Sequence, residues 1–206
     1  MTSNPKVVKA KVVLVGESST GKTSILNHFV YGNFNDTEMT TITPVNIRKV
    51  IDVKGGKVEL DLWDTAGQEK FRSLNQRFYH GANIGILVYS IIDKKSFDNL
   101  KSFWYQELLE QGDNNIIIGI AANKNDLFLE AVVEEEEGKE FANELKAEYE
   151  TTSCKLGIGV NDLFNKVAQR YFDYAKDLPE YKRNMSLKKE DNKNGKSNNS
   201  KKKKCC

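Results

Sequence analysis

No apolar run among the 206 residues approaches the ~20 that cross a bilayer, so no transmembrane helix is expected. Met1–Pro5 lack the apolar core of a signal peptide, and no glycine follows Met1, so neither secretion nor N-myristoylation is expected. Cysteine is scarce: Cys154 is internal, and Cys205 and Cys206 are the last two residues. That spacing makes neither a disulfide framework nor a metal site, and it suits a reduced, cytosolic setting. The two histidines, His28 and His80, accompany no base–nucleophile pair and read as structural or surface residues. Neither sign of charge dominates: 31 Lys and Arg face 29 Asp and Glu. The net +2 is too small to imply nucleic acid, which is not expected as a partner. Length and a 39% hydrophobic content suit one domain with a sizeable core and a tail.

What is present is organised around Gly16-Glu17-Ser18-Ser19-Thr20-Gly21-Lys22-Thr23. It follows the apolar Val12–Val15 and precedes a helical pattern from Ser24 to Val30. Strand, G-x-x-x-x-G-K-[ST], helix is the context a phosphate-binding loop requires. Successive backbone N–H groups from Ser18 through Ser24 would curl round a polyphosphate, with glycines permitting the curl. The helix N-terminus adds partial positive charge. Lys22 would reach the β- and γ-phosphates, and the Thr23 hydroxyl would ligate Mg²⁺.

Strand and helix patterns alternate as far as Lys176. Lys6–Val15 predicts a strand and Lys22–Tyr31 a helix closed by Gly32. Val45–Val53 and Lys57–Trp63 predict a hairpin turning at Gly55-Gly56, and Val58, Leu60 and Leu62 mark a buried face. Ile84–Ser90 and Asn115–Asn123 read as buried parallel strands. Between them Ser96 is the expected cap of a helix to about Glu110, with Phe97, Leu100, Phe103, Trp104 and Leu108 as its apolar stripe. Glu134–Leu145 predicts a helix whose acidic start is a solvated face, and Tyr149–Ser153 a short strand. Val160–Tyr174 predicts a last helix facing inward with Leu163, Phe164, Val167, Tyr171 and Tyr174. The fold class is therefore α/β: a mostly parallel six-stranded sheet with one antiparallel hairpin strand and helices on both faces, in the manner of P-loop NTPases. Ligands bind such sheets beyond the carboxyl ends of the strands. From Pro179 onward apolar periodicity fades into Lys, Asn and Ser, the composition of a disordered tail.

Three more constellations fall on loops after strands. In Trp63-Asp64-Thr65-Ala66-Gly67-Gln68-Glu69, Asp64 can hold Mg²⁺, Gly67 can offer its N–H to a γ-phosphate, and Gln68 can orient a water for in-line attack. In Asn123-Lys124-Asn125-Asp126, the Asp126 carboxylate can accept from the N1–H and 2-amino group of guanine. Adenine would leave that carboxylate unpaired. Asn123 can bond the purine edge or tie loops together, and the Lys124 stem can cover the base. In Ser153-Cys154-Lys155, backbone N–H groups can reach the guanine O6.

In this order and spacing the four segments, across residues 6–176, resemble the Ras superfamily of small GTPases, and within it the Rab family, nearest the endosomal members. The loop Gly16-Glu17-Ser18, the run Trp63–Phe71, Phe78-Tyr79 and the terminal Cys-Cys carry the Rab likeness. The resemblance implies a GTPase that binds GTP or GDP with Mg²⁺. It aligns Thr41 with the Mg²⁺-binding threonine and Phe34 with the aromatic beside guanine. It places switch one at about 34–47 and switch two from Asp64 to about Tyr79. It implies an exchange factor, a GTPase-activating protein, effectors and a lipid-shielding GDP-dissociation inhibitor. The domain would occupy residues 1–176, and 177–206 would be a tail. Geranylgeranylation of Cys205 and Cys206, helped by Lys201–Lys204, would anchor that tail to the cytoplasmic face of an endosomal or secretory membrane and serve vesicle trafficking.

Some positions depart from the family. Ser18 and Ser19 stand where Ras has glycines. In switch one Thr43 and Pro44 replace a Gly-Val, and Asn46 replaces the aromatic of the effector-facing trio completed by Trp63 and Phe78. Cys154 replaces an alanine whose backbone does the work. Two other classes stay open on the residues alone: an ATP-using P-loop kinase, against which Asn123–Asp126 argues, and an interaction module that binds GTP without hydrolysing it, against which Gln68 argues.

Overall fold

The computed structural model describes residues 6–34, 45–64 and 78–179. In chain order the elements are β1 (Lys6–Val15), α1 (Lys22–Tyr31), β2 (Val45–Val53), β3 (Gly56–Asp64), β4 (Ile84–Ser90), α2 (Lys94–Asn99), a π-helical turn (Leu100–Trp104), α3 (Tyr105–Gln111), β5 (Ile117–Asn123), a 3-10 segment (Asn125–Glu130), α4 (Glu135–Leu145), β6 (Glu148–Thr151) and α5 (Val160–Ala175). Among the described residues the strands form one six-stranded sheet ordered β2-β3-β1-β4-β5-β6. The β2–β3 pair is antiparallel, with Val53 opposite Gly56, and the four other pairings are parallel.

Both faces are covered, as alternation along β1 shows. Val8, Ala10, Val12 and Leu14 point into a core with Ile25 and Phe29 of α1 and Leu163, Phe164, Val167 and Phe172 of α5. Phe29 and Phe164 stack with centroids 3.8 Å apart. Val13 and Val15 point the other way, against Phe97, Leu100, Trp104, Leu108 and Phe141. That second face belongs to α2–α3 and α4.

Helix ends follow their local chemistry. Gly32 closes α1 with φ 69° and donates to the His28 carbonyl. Glu134 and Glu137 form a capping box at the start of α4. The α2 cap is Asp93, not Ser96: the Asp93 side chain accepts from Ser96 N–H at 3.2 Å. Ser96 is fully buried and turns its hydroxyl back to the carbonyl of Asp93, so its polar group is satisfied within the first turn. The expected inward position of Tyr174 is also corrected. It is 40% exposed and accepts at its hydroxyl from Asn115 Nδ2 at 2.9 Å, because the buried face of α5 runs through Tyr171, Phe172 and Ala175 and leaves Tyr174 beside it.

Candidate active site

The four constellations meet at the carboxyl edge of the sheet, and hydrogen bonds between them define one cleft. The phosphate loop leaves β1 through Gly16, whose φ of 147° and whose Cα, packed against β4, leave no room for a side chain: a Cβ would lie 2.2 Å from the Val88 carbonyl oxygen. Ser19 takes a left-handed φ of 63° without being glycine. Gly21, at φ 96°, caps α1, and a Cβ there would lie 2.2 Å from Asn123 Nδ2. The loop is thus shaped to bring main chain, rather than side chains, to the cleft.

Lys22 is buried in that cradle. Its Nζ donates to the carbonyls of Gly16 at 3.0 Å and Glu17 at 2.8 Å. Burial lowers its pKa to about 8, against the opposing pull of the Asp64 and Glu17 carboxylates. A desolvated ammonium with neutral partners is poised for an anion. Thr20 Oγ1 donates to the Glu17 carbonyl at 2.9 Å, so two side chains of the loop converge on that one oxygen.

Thr23 and Asp64, proposed from sequence as metal ligands, are brought together: Thr23 Oγ1 donates to Asp64 Oδ2 at 2.7 Å, and Asp64 is 1% exposed at the end of β3. A hydroxyl and a carboxylate are hard oxygen donors, and two protein ligands with the rest left to water and phosphate suit Mg²⁺. Among the described residues no group of three or more His, Cys, Asp or Glu forms a metal-ligating cluster.

At the other end of the cleft Asn123 ties loops together. Its Nδ2 donates to the Thr20 carbonyl at 2.8 Å, and its Oδ1 accepts from Thr152 Oγ1 at 3.1 Å. Asn125 N–H donates to the Thr152 carbonyl at 3.0 Å. Asp126 accepts at Oδ1 from Ser153 Oγ at 2.6 Å. Lys124 sits at φ 67°, which turns the chain sharply out of β5. Cys154 is buried, with its thiol 3.8 Å from Asn123 Oδ1, and Lys155 is exposed. Phe34 is 37% exposed and ends the first described stretch. Thr41, Gly67, Gln68, Cys205 and Cys206 lie outside the described residues, as do Thr43 and Pro44.

Four participants escaped sequence reasoning: Thr152, the Glu17 side chain, Asn99 and Trp104. Thr152 lies one residue outside the segment singled out. The Glu17 side chain occupies a free position of the loop motif, yet its Oε1 accepts from Asn99 Nδ2 at 2.7 Å and Trp104 Nε1 at 3.1 Å. Nothing in the spacing marks either partner.

A family model for Ras, described as the Ras family, matches residues 11–173. The chain belongs to the Ras family. Ras-related protein Rab5A of Oryza sativa subsp. japonica is 39% identical over 183 residues, covering 87% of this chain and 90% of its own length. Ras-related protein Rab-5A of Dictyostelium discoideum is 36% identical over 170 residues, covering 82% and 84% respectively. The chain is accordingly a Rab-type small GTPase with the P-loop GTPase fold. Asn46, which stands where the family resemblance expects an aromatic, donates to Asp61 Oδ1 at 2.9 Å across the hairpin. Trp63 Nε1 donates to the other oxygen of Asp61 at 3.2 Å, while the Trp63 and Phe78 rings pack 5.4 Å apart. A polar bridge thus stands beside the Trp63–Phe78 pair, on an exposed strand face.

Proposed function

We propose that this chain is a membrane-anchored guanine-nucleotide switch in vesicle trafficking, bound by its terminal cysteines to the cytoplasmic face of an endosomal or secretory membrane. The observation that carries the reading is the Asn123 bridge, which joins the phosphate loop at Thr20 to the base loop at Thr152 and so brings the two loops to one site. Phosphates lie against the N–H groups of Ser18–Ser24 and the Lys22 ammonium. Asp126 reads N1–H and the 2-amino group of guanine, with the main chain at Ser153–Lys155 facing O6, Lys124 across the base and Phe34 at its edge.

Hydrolysis is an in-line attack. Gln68 orients a water whose oxygen bonds to the γ-phosphorus as the bond to the β–γ bridging oxygen breaks, and GDP leaves with that electron pair. Lys22 and the Gly67 N–H hold the charge that develops on the phosphate oxygens. Thr23, Thr41 and Asp64 would hold Mg²⁺, which when bound would neutralise β- and γ-phosphate charge. Intrinsic turnover is slow, since no arginine of this chain is assigned to the site; a GTPase-activating partner supplying one accelerates it about 10³–10⁵-fold. Loss of the γ-phosphate releases both switches, which an exchange factor resets and effectors read. Residues 177–206 form the tail, whose two prenyl groups anchor stably where one would not, and which a GDP-dissociation inhibitor shields in the cytosol. No described helix is long and apolar enough to cross a membrane, so attachment through the tail is the route this reading uses.

The test is the nucleotide that copurifies with the full chain, followed by single-turnover hydrolysis with and without Gln68→Leu. Bound GDP or GTP, and hydrolysis slowed by the substitution, support the switch. Bound adenine nucleotide overturns it in favour of a kinase, and GTP bound but hydrolysed at the same negligible rate by both proteins marks a binding module.

A further inference from the structure

The helical layer between β4 and β5 is broken by the π-helical turn Leu100–Trp104, in which Tyr105 N–H donates to the Leu100 carbonyl five residues back. In a regular α-helix residues five apart point about 140° away from each other. The wider turn brings Asn99 and Trp104 onto one side, and both donate to the same oxygen, Glu17 Oε1. The Trp104 ring is 1% exposed, so its indole N–H has been taken from water and depends on that carboxylate. Turns of this kind are frequent at functional sites.

Glu17 faces two ways. Its side chain is held by the π-helical turn, and its carbonyl is the oxygen on which Lys22 Nζ and Thr20 Oγ1 converge. From the base side the phosphate loop is tied through Thr20 and Asn123. We infer that Glu17, Asn99 and Trp104 form a clamp that positions the phosphate loop and sets the rate at which the nucleotide leaves. Glu17 is a positioning residue here: its carboxylate is bound to the helical layer, and it acts by holding its own carbonyl, and hence the Lys22 ammonium, in place. The inference rests on the guanine-nucleotide site proposed above and adds a second anchor to it. Trp104 also packs in the cluster that contains Tyr79, at the end of the segment read as switch two, so a partner that shifts this layer would loosen the loop without entering the cleft.

The experiment is the release of a preloaded fluorescent GDP analogue from the full chain and from Glu17→Ala, Glu17→Gln, Trp104→Phe, the Glu17→Ala/Trp104→Phe double variant and Leu108→Val. Thermal midpoints are recorded for each. Trp104→Phe loses one charge-assisted hydrogen bond and should speed release about tenfold; Glu17→Ala loses both and should be at least as fast. The double variant should be no faster than Glu17→Ala, which already removes the contact that Trp104→Phe removes. Glu17→Gln keeps an acceptor oxygen and should stay within about threefold of wild type. Leu108→Val weakens packing of the same layer away from Glu17; it should lower the midpoint and leave release unchanged, whereas a purely structural role would make release track stability. Should Trp104→Phe fail to fold, Asn99→Ala takes its place in the cycle. Release at the wild-type rate in Glu17→Ala and Trp104→Phe, or effects that multiply in the double variant, overturns the clamp while leaving the site reading intact. A wild-type chain that retains no guanine nucleotide overturns both.

Discussion

At the phosphate end of the cleft a buried ammonium, Lys22, is surrounded by main-chain carbonyls, and a hydroxyl, Thr23, is held on a buried carboxylate, Asp64. At the base end a half-buried carboxylate, Asp126, accepts a hydrogen bond from the Ser153 hydroxyl, and the amide of Asn123 is bonded on both sides. The first end carries charge removed from water and gains most from a charged ligand. The second carries polar groups already satisfied by neutral partners, so a ligand must match them to displace or extend those bonds. Affinity should therefore reside at the phosphates and selectivity at the base, and each substitution below is expected to move one without the other.

The largest effect is expected from Asp126→Ala. A site that relies on pairing a buried polar group discriminates by about 10⁴–10⁵, and removing the carboxylate should bring GDP and ADP affinities together by a factor of that order. Competition between the two nucleotides measures it. A preference for GDP that survives would place base recognition elsewhere.

Next is Lys22→Met, of similar length but uncharged. Affinity for GDP and ADP should fall equally, by about 10²–10³, as a phosphate-facing cation is lost from a dry site. The nucleotide-free protein should be no less stable than wild type, because a desolvated charge is replaced by an apolar chain. A lower thermal midpoint in the nucleotide-free variant would mean that Lys22 is held for the fold rather than for a ligand.

How much of this was legible beforehand divides along the same line. Glycines and a lysine at fixed spacing between β1 and α1 located the phosphate end, and the limits of both elements followed from an apolar run and from Gly32. Backbone conformation there is imposed by local sequence. The base end was legible as a motif, but which of two jobs Asn123 performs depends on Thr20 and Thr152, which only the folded sheet makes its neighbours. The π-helical turn was hidden for another reason. Phe97, Leu100, Trp104 and Leu108 keep helical spacing and all are buried, so the apolar stripe looks unbroken although the hydrogen-bond register slips beneath it. Ser96 misled because a serine near a helix start serves equally as cap or as buried turn residue, and Asp93 three positions earlier had the free carboxylate.

The pH dependence sharpens the contrast. Lys22 has a pKa near 8 in the nucleotide-free fold, against an ordinary lysine value of 10.5. A lysine whose folded pKa is lowered binds fewer protons folded than unfolded between those values, so the stability of the nucleotide-free form should rise with pH across that window. Bound phosphate favours the ammonium and restores the proton. Binding above pH 8 therefore takes up a proton, and GDP affinity should fall there by up to about tenfold per unit. Titrations of binding heat in buffers of different ionisation enthalpy measure the uptake, and Lys22→Met should abolish it. A wild-type uptake unchanged in the variant would assign the proton to another group.

The smallest expected effect tests the base end alone. Ser153 Oγ donates to Asp126 Oδ1 and accepts from Leu156 N–H at 3.2 Å, so the serine both aims the carboxylate and fixes the loop behind it. Ser153→Ala leaves Asp126 charged but less constrained, and the loss of one such hydrogen bond corresponds to about 3–10-fold in affinity. Aim matters more to a ligand that contacts both carboxylate oxygens than to one that contacts a single oxygen. GDP offers N1–H and the 2-amino group, whereas inosine diphosphate offers N1–H only. The GDP-to-IDP affinity ratio should therefore narrow by about threefold in Ser153→Ala, a fraction of one hydrogen bond. In Lys22→Met that ratio should stay constant while both affinities fall, since the two ligands share their phosphates. A ratio that narrows in Lys22→Met as much as in Ser153→Ala would show that the two ends do not act separately, with the Asn123 bridge between Thr20 and Thr152 the connection through which they move together.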